Sequence, residues 1–207
     1  MIKLLFQGDS ITDMGRDREN IHDLGWGYPR YAAPALKELC PDVEFEFVDL
    51  AIGGDQTSNL VERLESDFVE VQPDICSILI GINDVWSHAG ERDWMSDSEF
   101  EKNYRTILDA MKERTHARIM LMEPFLIPVP DKLYFREDLY KKTEVIRKLA
   151  REYADVYVPL DGLLNSAFIG DDPVSFAEDG VHPTEKGARL IGKIYAEYMK
   201  KIVDKIK

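Results

Sequence analysis

The 207-residue chain predicts an α/β fold, a five-stranded parallel sheet with helices over both faces. Two observations carry this. Short apolar runs of strand length recur at residues 2–6, 44–50, 75–80, 118–122 and 156–158, and segments with apolar residues at helical spacing separate them. The first three runs each lead directly into a polar or glycine motif, the kind of connection that in open α/β sheets lies on the ligand-binding carboxyl edge.

Ile2-Lys3-Leu4-Leu5-Phe6 is too short for a helix and rich enough in bulky apolar residues for a buried strand. Gly8 lets the chain turn sharply, which sets Asp9 and Ser10 just past the strand end; either residue can equally cap a following helix. Residues 13–25 are charged and irregular. A helix is expected from Tyr28 to Leu39, with Tyr31, Ala35, Leu36 and Leu39 on one face and Pro41 beyond its end. Glu44 to Leu50 reads as the second strand, closed by Ala51-Ile52-Gly53-Gly54-Asp55. Leu60, Val61, Leu64 and Phe68 recur at helical spacing before the third strand, Ile75 to Ile80. Gly81-Ile82-Asn83-Asp84 follows, then a helix from Ser98 to Arg114 with Phe100, Tyr104, Ile107, Leu108 and Met111 inward. Arg118 to Met122 is the fourth strand. The stretch from Glu123 to Phe135 is a loop with exposed-looking apolar residues, either functional or covered. A helix from Glu137 to Tyr153 leads to the fifth strand, Val156-Tyr157-Val158. Irregular chain is expected to Pro183, and the last helix carries Leu190, Ile191, Ile194, Tyr195 and Tyr198. No repeat, low-complexity tract or linker interrupts this order, so residues 1–207 are expected to form one domain.

Composition excludes several functions. Asp plus Glu number 39 against 26 Lys plus Arg, a net charge of −13, and no basic stripe exists for nucleic acid. An acidic surface also disfavours anionic membranes, and no apolar segment approaches the length of a membrane span. The apolar run after Lys3 is too short for a signal peptide. Cys40 and Cys76 make no disulfide framework, and Cys76, inside an apolar strand, reads as a core residue. A cytoplasmic setting is expected. His22, His88, His116 and His182 are scattered without zinc-type spacing, so no metal is expected. The lysine of a phosphate-binding loop is missing after Gly8, and no Gly-x-Gly-x-x-Gly follows the first strand, so no cofactor is expected.

Gly8-Asp9-Ser10, Gly53-Gly54-Asp55 and Gly81-Ile82-Asn83-Asp84 share one edge of a parallel sheet, and Asp179-Gly180-Val181-His182-Pro183 can return to it. The sequence thereby brings together a hydroxyl, glycine N–H groups, a side-chain amide, an imidazole and a carboxylate. Those are the parts of nucleophilic catalysis: nucleophile, oxyanion donors, base and orienting group. Pro183 disfavours helix at His182, and Gly180 permits a turn that folds Asp179 back onto the imidazole, leaving Nε2 for Ser10. An ordinary surface turn before a helix is the plainer reading of this motif alone.

Together the motifs resemble the SGNH hydrolases, the GDSL family of esterases and lipases. Gly8-Asp9-Ser10, Gly54, Gly81-Ile82-Asn83-Asp84 and Asp179-x-x-His182 match its four blocks in order across almost the whole chain. Gly8 to Asp13, Ile80 to Trp86 and Val181-His182-Pro183 look further like the intracellular acetylxylan esterases of the family; Glu178 departs from that subgroup, which carries an aromatic residue there. The resemblance implies a flavodoxin-like strand order, 2-1-3-4-5. It implies Ser10 as nucleophile, His182 as base and Asp179 as orienting acid, with an oxyanion hole of the Ser10 and Gly54 N–H groups and the Asn83 amide. The expected partner is a small ester, an acetylated sugar; oligomeric state is left open, a homo-oligomer included.

Asp9 and Asp84 are expected to order their turns through local hydrogen bonds. Trp26, Trp86 and Trp94 fall in predicted loops; core packing is the default for each, and Trp86, close behind Asn83, is the one read as a substrate wall. Ile11, Ile82, Val85 and Val181 also crowd the motifs and are candidates for a tight acyl pocket. Two rivals remain. A lysophospholipase or thioesterase needs an apolar groove, which residues 123–135 could supply. A phosphate-receiving signalling module needs an aspartate acceptor and a lysine that Asn83-Asp84 and Asp161-Gly162 fit poorly.

Overall fold

A computed structural model describes residues 1–87, 89, 90 and 94–206. Its strands are β1 (Ile2–Gly8), β2 (Phe45–Asp49), β3 (Ile75–Leu79), β4 (Arg118–Met122) and β5 (Val156–Val158). They form one parallel sheet in the order β2-β1-β3-β4-β5, as expected. The helices are α1 (Ser10–Asp13), α2 (Pro29–Leu39), α3 (Thr57–Glu62), α4 (Ile82–Trp86), α5 (Asp97–Arg114), α6 (Arg136–Tyr153), α7 (Leu160–Ala167) and α8 (Glu185–Ile206). Among the described residues no helix is long and apolar enough to cross a membrane.

Successive strand residues point to opposite faces, and the sheet therefore feeds two cores. Leu4 and Phe6 of β1 join Ile75, Met120 and Val158 under α2, α7 and α8. Leu5 joins Cys76, Ile78, Ile119 and Leu121 under α5 and α6. Cys76 is a buried core residue, and burial pushes its thiol pKa up. Phe6, Tyr28 and Tyr195 meet with ring centroids 5.1–6.1 Å apart, which fastens α2 and α8 to the strand that ends at the site.

Three expectations need correction, and one alternative is decided. The segment before β3 is not one helix: α3 stops at Glu62, and residues Glu65–Val69 wind as a π-helix around the buried Phe68. The stretch from Glu123 to Phe135, read as functional or covered, is mostly covered: Phe125, Leu126, Ile127, Val129 and Phe135 are buried, while Leu133 and Tyr134 are exposed. The chain from β5 to Pro183 is not wholly irregular, because α7 docks Leu160 and Leu164 into the core. In α2 the inward residues are Ala32, Ala33 and Leu36, while Leu39 is exposed.

Gly8 serves close packing more than turning. A Cβ there would stand 2.4 Å from the Leu79 carbonyl oxygen and 2.5 Å from Thr12 Oγ1. β1, β3 and the start of α1 can approach this closely only because Gly8 carries no side chain.

Candidate active site

Ser10 opens α1 at the carboxyl end of β1. The capping is done by Asp9, whose Oδ1 accepts a hydrogen bond from Ile11 N–H at 3.0 Å, so the Ser10 hydroxyl is not used for it. Asp9 is buried directly behind Ser10. Burial pushes its carboxyl pKa up to about 7; the Ile11 N–H opposes the rise, and the charges of Asp84 and Asp55 add to it.

Asp179 and His182 occupy one turn. Asp179 Oδ1 accepts from the backbone N–H of Val181 at 2.9 Å and of His182 at 2.8 Å, while Oδ2 lies 2.7 Å from His182 Nδ1. Between them Gly180 has φ +83°, a left-handed conformation, and a Cβ there would meet Val129 Cγ2 at 2.6 Å. Its carbonyl accepts from Ile127 N–H at 2.8 Å, so the covered loop after β4 braces the turn. The result aims His182 Nε2 at Ser10 Oγ, 2.8 Å away. Burial alone would raise the Asp179 carboxyl, but the bonds from His182 Nδ1–H and the two backbone N–H groups outweigh it and hold the pKa below the ordinary value. Hydroxyl, imidazole and carboxylate thus stand in one hydrogen-bonded line.

The strap after β2 lies across from them. Gly53 N–H donates to Asp13 Oδ2 at 2.7 Å, and Arg18 Nη2 donates to the same oxygen at 2.6 Å. Gly54 has φ +92°. Asn83, in the first turn of α4, donates from Nδ2 to the Asp55 carbonyl at 3.0 Å. That bond fixes the amide plane and uses one of its two N–H donors, leaving the other for a ligand. Asp55 is tied in turn to Arg63 Nε at 2.9 Å. Asp84 does not serve a local turn: it is buried and accepts from Thr57 N–H at 3.1 Å and Thr57 Oγ1 at 2.6 Å, pinning the start of α3, and with it the glycine strap, to α4. Ser10, Gly54 and Asn83 therefore belong to three adjacent connections on one sheet edge, and His182 reaches Ser10 from a fourth.

Arg18 and Thr57, which help position this framework, carry no signal in the sequence, and Asp55 stands out there only as the end of the second glycine motif. Asp13 stands inside the first motif, yet its bond to Gly53 spans 40 residues and shows only in three dimensions.

Of the bulky residues near the motifs, Ile11, Ile82, Val85 and Val181 are core members, and none has surface to offer an acyl group. Trp86 is the exception. It ends α4 instead of lying in a loop, is only partly buried, and sets its ring 5.9 Å from the His182 ring and 5.8 Å from Phe135. Trp94 packs against the core, whereas Trp26 does not: it is 65% exposed. An open cleft of about 520 Å³ adjoins Ser10, bordered by Asp13, Arg18, Gly15 and Gly53, with Met14 its apolar side chain. His22 lies apart, its Nδ1 on the Phe47 carbonyl at 2.9 Å, and His88 lies outside the described residues.

Fold and motif order now define a class. The model of the GDSL-like lipase/acylhydrolase family matches residues 6–190; the chain belongs to that family and is a carboxylic ester hydrolase. Within it, an acetylxylan esterase from Geobacillus stearothermophilus is 31% identical over 202 residues, 93% of this chain and 91% of its own. The solved structure of Axe2, an acetylxylan esterase from the same organism, superposes with a TM-score of 0.86 at 30% identity, covering 96% of this chain and 94% of Axe2. A protein described as a GDSL-like lipase, from Parabacteroides merdae ATCC 43184, reaches a TM-score of 0.88 at 30% identity over 97% of this chain and 96% of its own. Forms of Axe2 with one serine or one histidine changed to alanine have been solved as catalytic mutants.

Proposed function

We propose that the protein is a metal-independent serine esterase that removes acetyl groups from carbohydrates such as acetylated xylo-oligosaccharides through an acyl-enzyme, in the cytoplasm. Ser10 Oγ attacks the ester carbonyl while His182 Nε2 takes its proton. The tetrahedral oxyanion is received by the Ser10 and Gly54 N–H groups and the Asn83 amide. His182 hands the proton to the leaving alcohol, and water repeats the sequence on the acyl-enzyme. Asp179 holds the imidazole tautomer and stabilises the imidazolium.

The observation that carries this proposal is the Ser10–His182–Asp179 line set beside an open cleft. The Asp13–Arg18 pair at its border offers hydrogen-bond partners to a hydroxyl-rich alcohol. Most apolar residues of 123–135, which a lipid-directed enzyme would need as a groove, are buried, and only Leu133 and Tyr134 among its large ones are exposed. Similarity to acetylxylan esterases points the same way.

Acyl length tests it. With Trp86 as the wall, each methylene beyond acetyl that does not fit costs about 1–3 kcal/mol of overlap. The expected kcat/KM of aryl esters falls steeply from two carbons to four to eight, and Trp86→Ala flattens the fall. A maximum at eight carbons would discard the deacetylase and promote a lipid-directed acylhydrolase.

Asn83→Ala is expected to lower kcat by about 100- to 1000-fold, roughly 3–4 kcal/mol, with a much smaller change in KM. The donor acts on charge that develops in the transition state. Steady-state kinetics separate the two constants, and a raised KM at unchanged kcat would make Asn83 a substrate-binding group only.

A further inference from the structure

We infer that Trp26 is a sugar-stacking subsite for the alcohol part of the substrate, holding a pyranose ring that leaves Ser10 on the His182 side. The inference rests on the carbohydrate reading above and adds the residue that would recognise the sugar.

Trp26 is fixed to the nucleophile by backbone. Met14 N–H donates to the Ser10 carbonyl at 3.0 Å, closing α1, and Trp26 N–H donates to the Met14 carbonyl at 3.0 Å. The residues on either side of the indole are glycines packed onto the same helix. A Cβ on Gly25 would stand 2.4 Å from the Asp13 carbonyl oxygen, and one on Gly27 would stand 2.9 Å from that of Thr12 and 3.0 Å from that of Ile11. Met14 itself lies about one helical turn, ~5.4 Å, past Ser10. The indole is thus presented from a strap that cannot move without α1.

A tryptophan so held should bury its ring, because the ring is the largest apolar surface a side chain offers. This one remains 65% exposed. The Arg30 guanidinium stacks on it 4.3 Å from the ring centroid, which holds the ring in place while much of its surface stays open to solvent. The surrounding groove is bordered by Met14, Tyr31 and Pro183 and by the paired Glu185 and Arg189. Met14 also borders the cleft at Ser10, so groove and cleft share that side chain as a common wall. Pro183 follows His182 directly. The base must deliver its proton to the leaving oxygen, so the alcohol departs on the side where His182 and Pro183 lie, toward Trp26. An aromatic face for the C–H face of a sugar, with a guanidinium alongside for its hydroxyls, is the chemistry of a neutral oligosaccharide subsite.

The test compares acetylated xylotriose with 4-nitrophenyl acetate, whose alcohol is small and carries no sugar. In Trp26→Ala the ratio of kcat/KM for the sugar ester to that for the aryl ester is expected to fall about tenfold, mainly through KM for the sugar ester, as when a contacting aromatic is truncated. Trp26→Phe recovers most of the ratio. A ratio unchanged in Trp26→Ala, in an enzyme whose wild type deacetylates xylotriose, overturns the subsite and leaves the carbohydrate reading intact. A wild type that turns over the aryl ester but no acetylated sugar overturns both.

Discussion

Ser10→Ala is expected to give a folded protein whose ester turnover is lower by roughly three or more orders of magnitude, the loss seen when a triad nucleophile is removed. The hydroxyl's hydrogen bond is to His182 Nε2, and the cap of α1 comes from Asp9, so alanine at this position leaves the local structure its support. Alanine is also a good first-turn residue. What disappears is the atom proposed to form the acyl-enzyme. His182 and the amide donors survive and can assist only a slow attack by water. Circular dichroism and the unfolding midpoint should match wild type while aryl acetate turnover collapses, and a phosphonate that labels wild type at Ser10 should leave the variant unlabelled. Near-normal turnover in the folded variant would remove the nucleophile assignment and the mechanism with it.

Asp179→Asn is expected to lower kcat by about 10⁴-fold, because the defect lies in the tautomer and not in the fold. An asparagine oxygen can still accept from Val181 and His182 N–H, as Asp179 Oδ1 does. The amide nitrogen would then replace Oδ2 beside His182 Nδ1, and it presents a proton where an acceptor was. The imidazole answers by placing its own proton on Nε2, which can no longer take one from Ser10. The same residue shapes acid stability. Its pKa is depressed in the fold, so its contribution to stability is fully present above the unfolded carboxylate value and is lost as pH falls through the lower folded value. Acid-unfolding curves of wild type should carry that loss and those of Asp179→Asn should not. Retained activity in Asp179→Asn would mean that the carboxylate does not set the tautomer.

Much of this architecture was legible because the sequence states it locally. β4 and β5 fall where period and length put them, and α5 buries the same Phe100, Tyr104, Ile107, Leu108 and Met111 that its spacing selects. Ser10 and His182 could be paired only because four motifs stand together in order, since a strand-end serine alone reads equally as a cap and an Asp-x-x-His turn alone as an ordinary surface turn. What escaped is decided by distant parts of the chain. α7 is short, begins just after Pro159 and contains Gly162, so local propensity argues against a helix that only docking of Leu160 and Leu164 makes worthwhile. Ile127 and Val129 look exposed in a proline-rich loop until the 179–182 turn is laid over them. Asp84 looks like a turn former until Thr57, 27 residues earlier, arrives as its partner. Trp26 runs the other way: default packing would bury it, and its flanking glycines instead give their space to the backbone of α1.

The hydrogen bond from Ser10 to His182 joins residues 172 positions apart. On the proposed mechanism, a ribosome that has made β1 has made the nucleophile 172 positions ahead of its base. The base is then useful only after α8 has settled against α2 and β1, a contact between sequence extremes and therefore one of the later, entropically slower events of folding. On the proposed mechanism, partly made and partly folded chains carry a serine without its base, and hydrolysis needs β1 and the 179–182 turn, far apart in sequence, to have met.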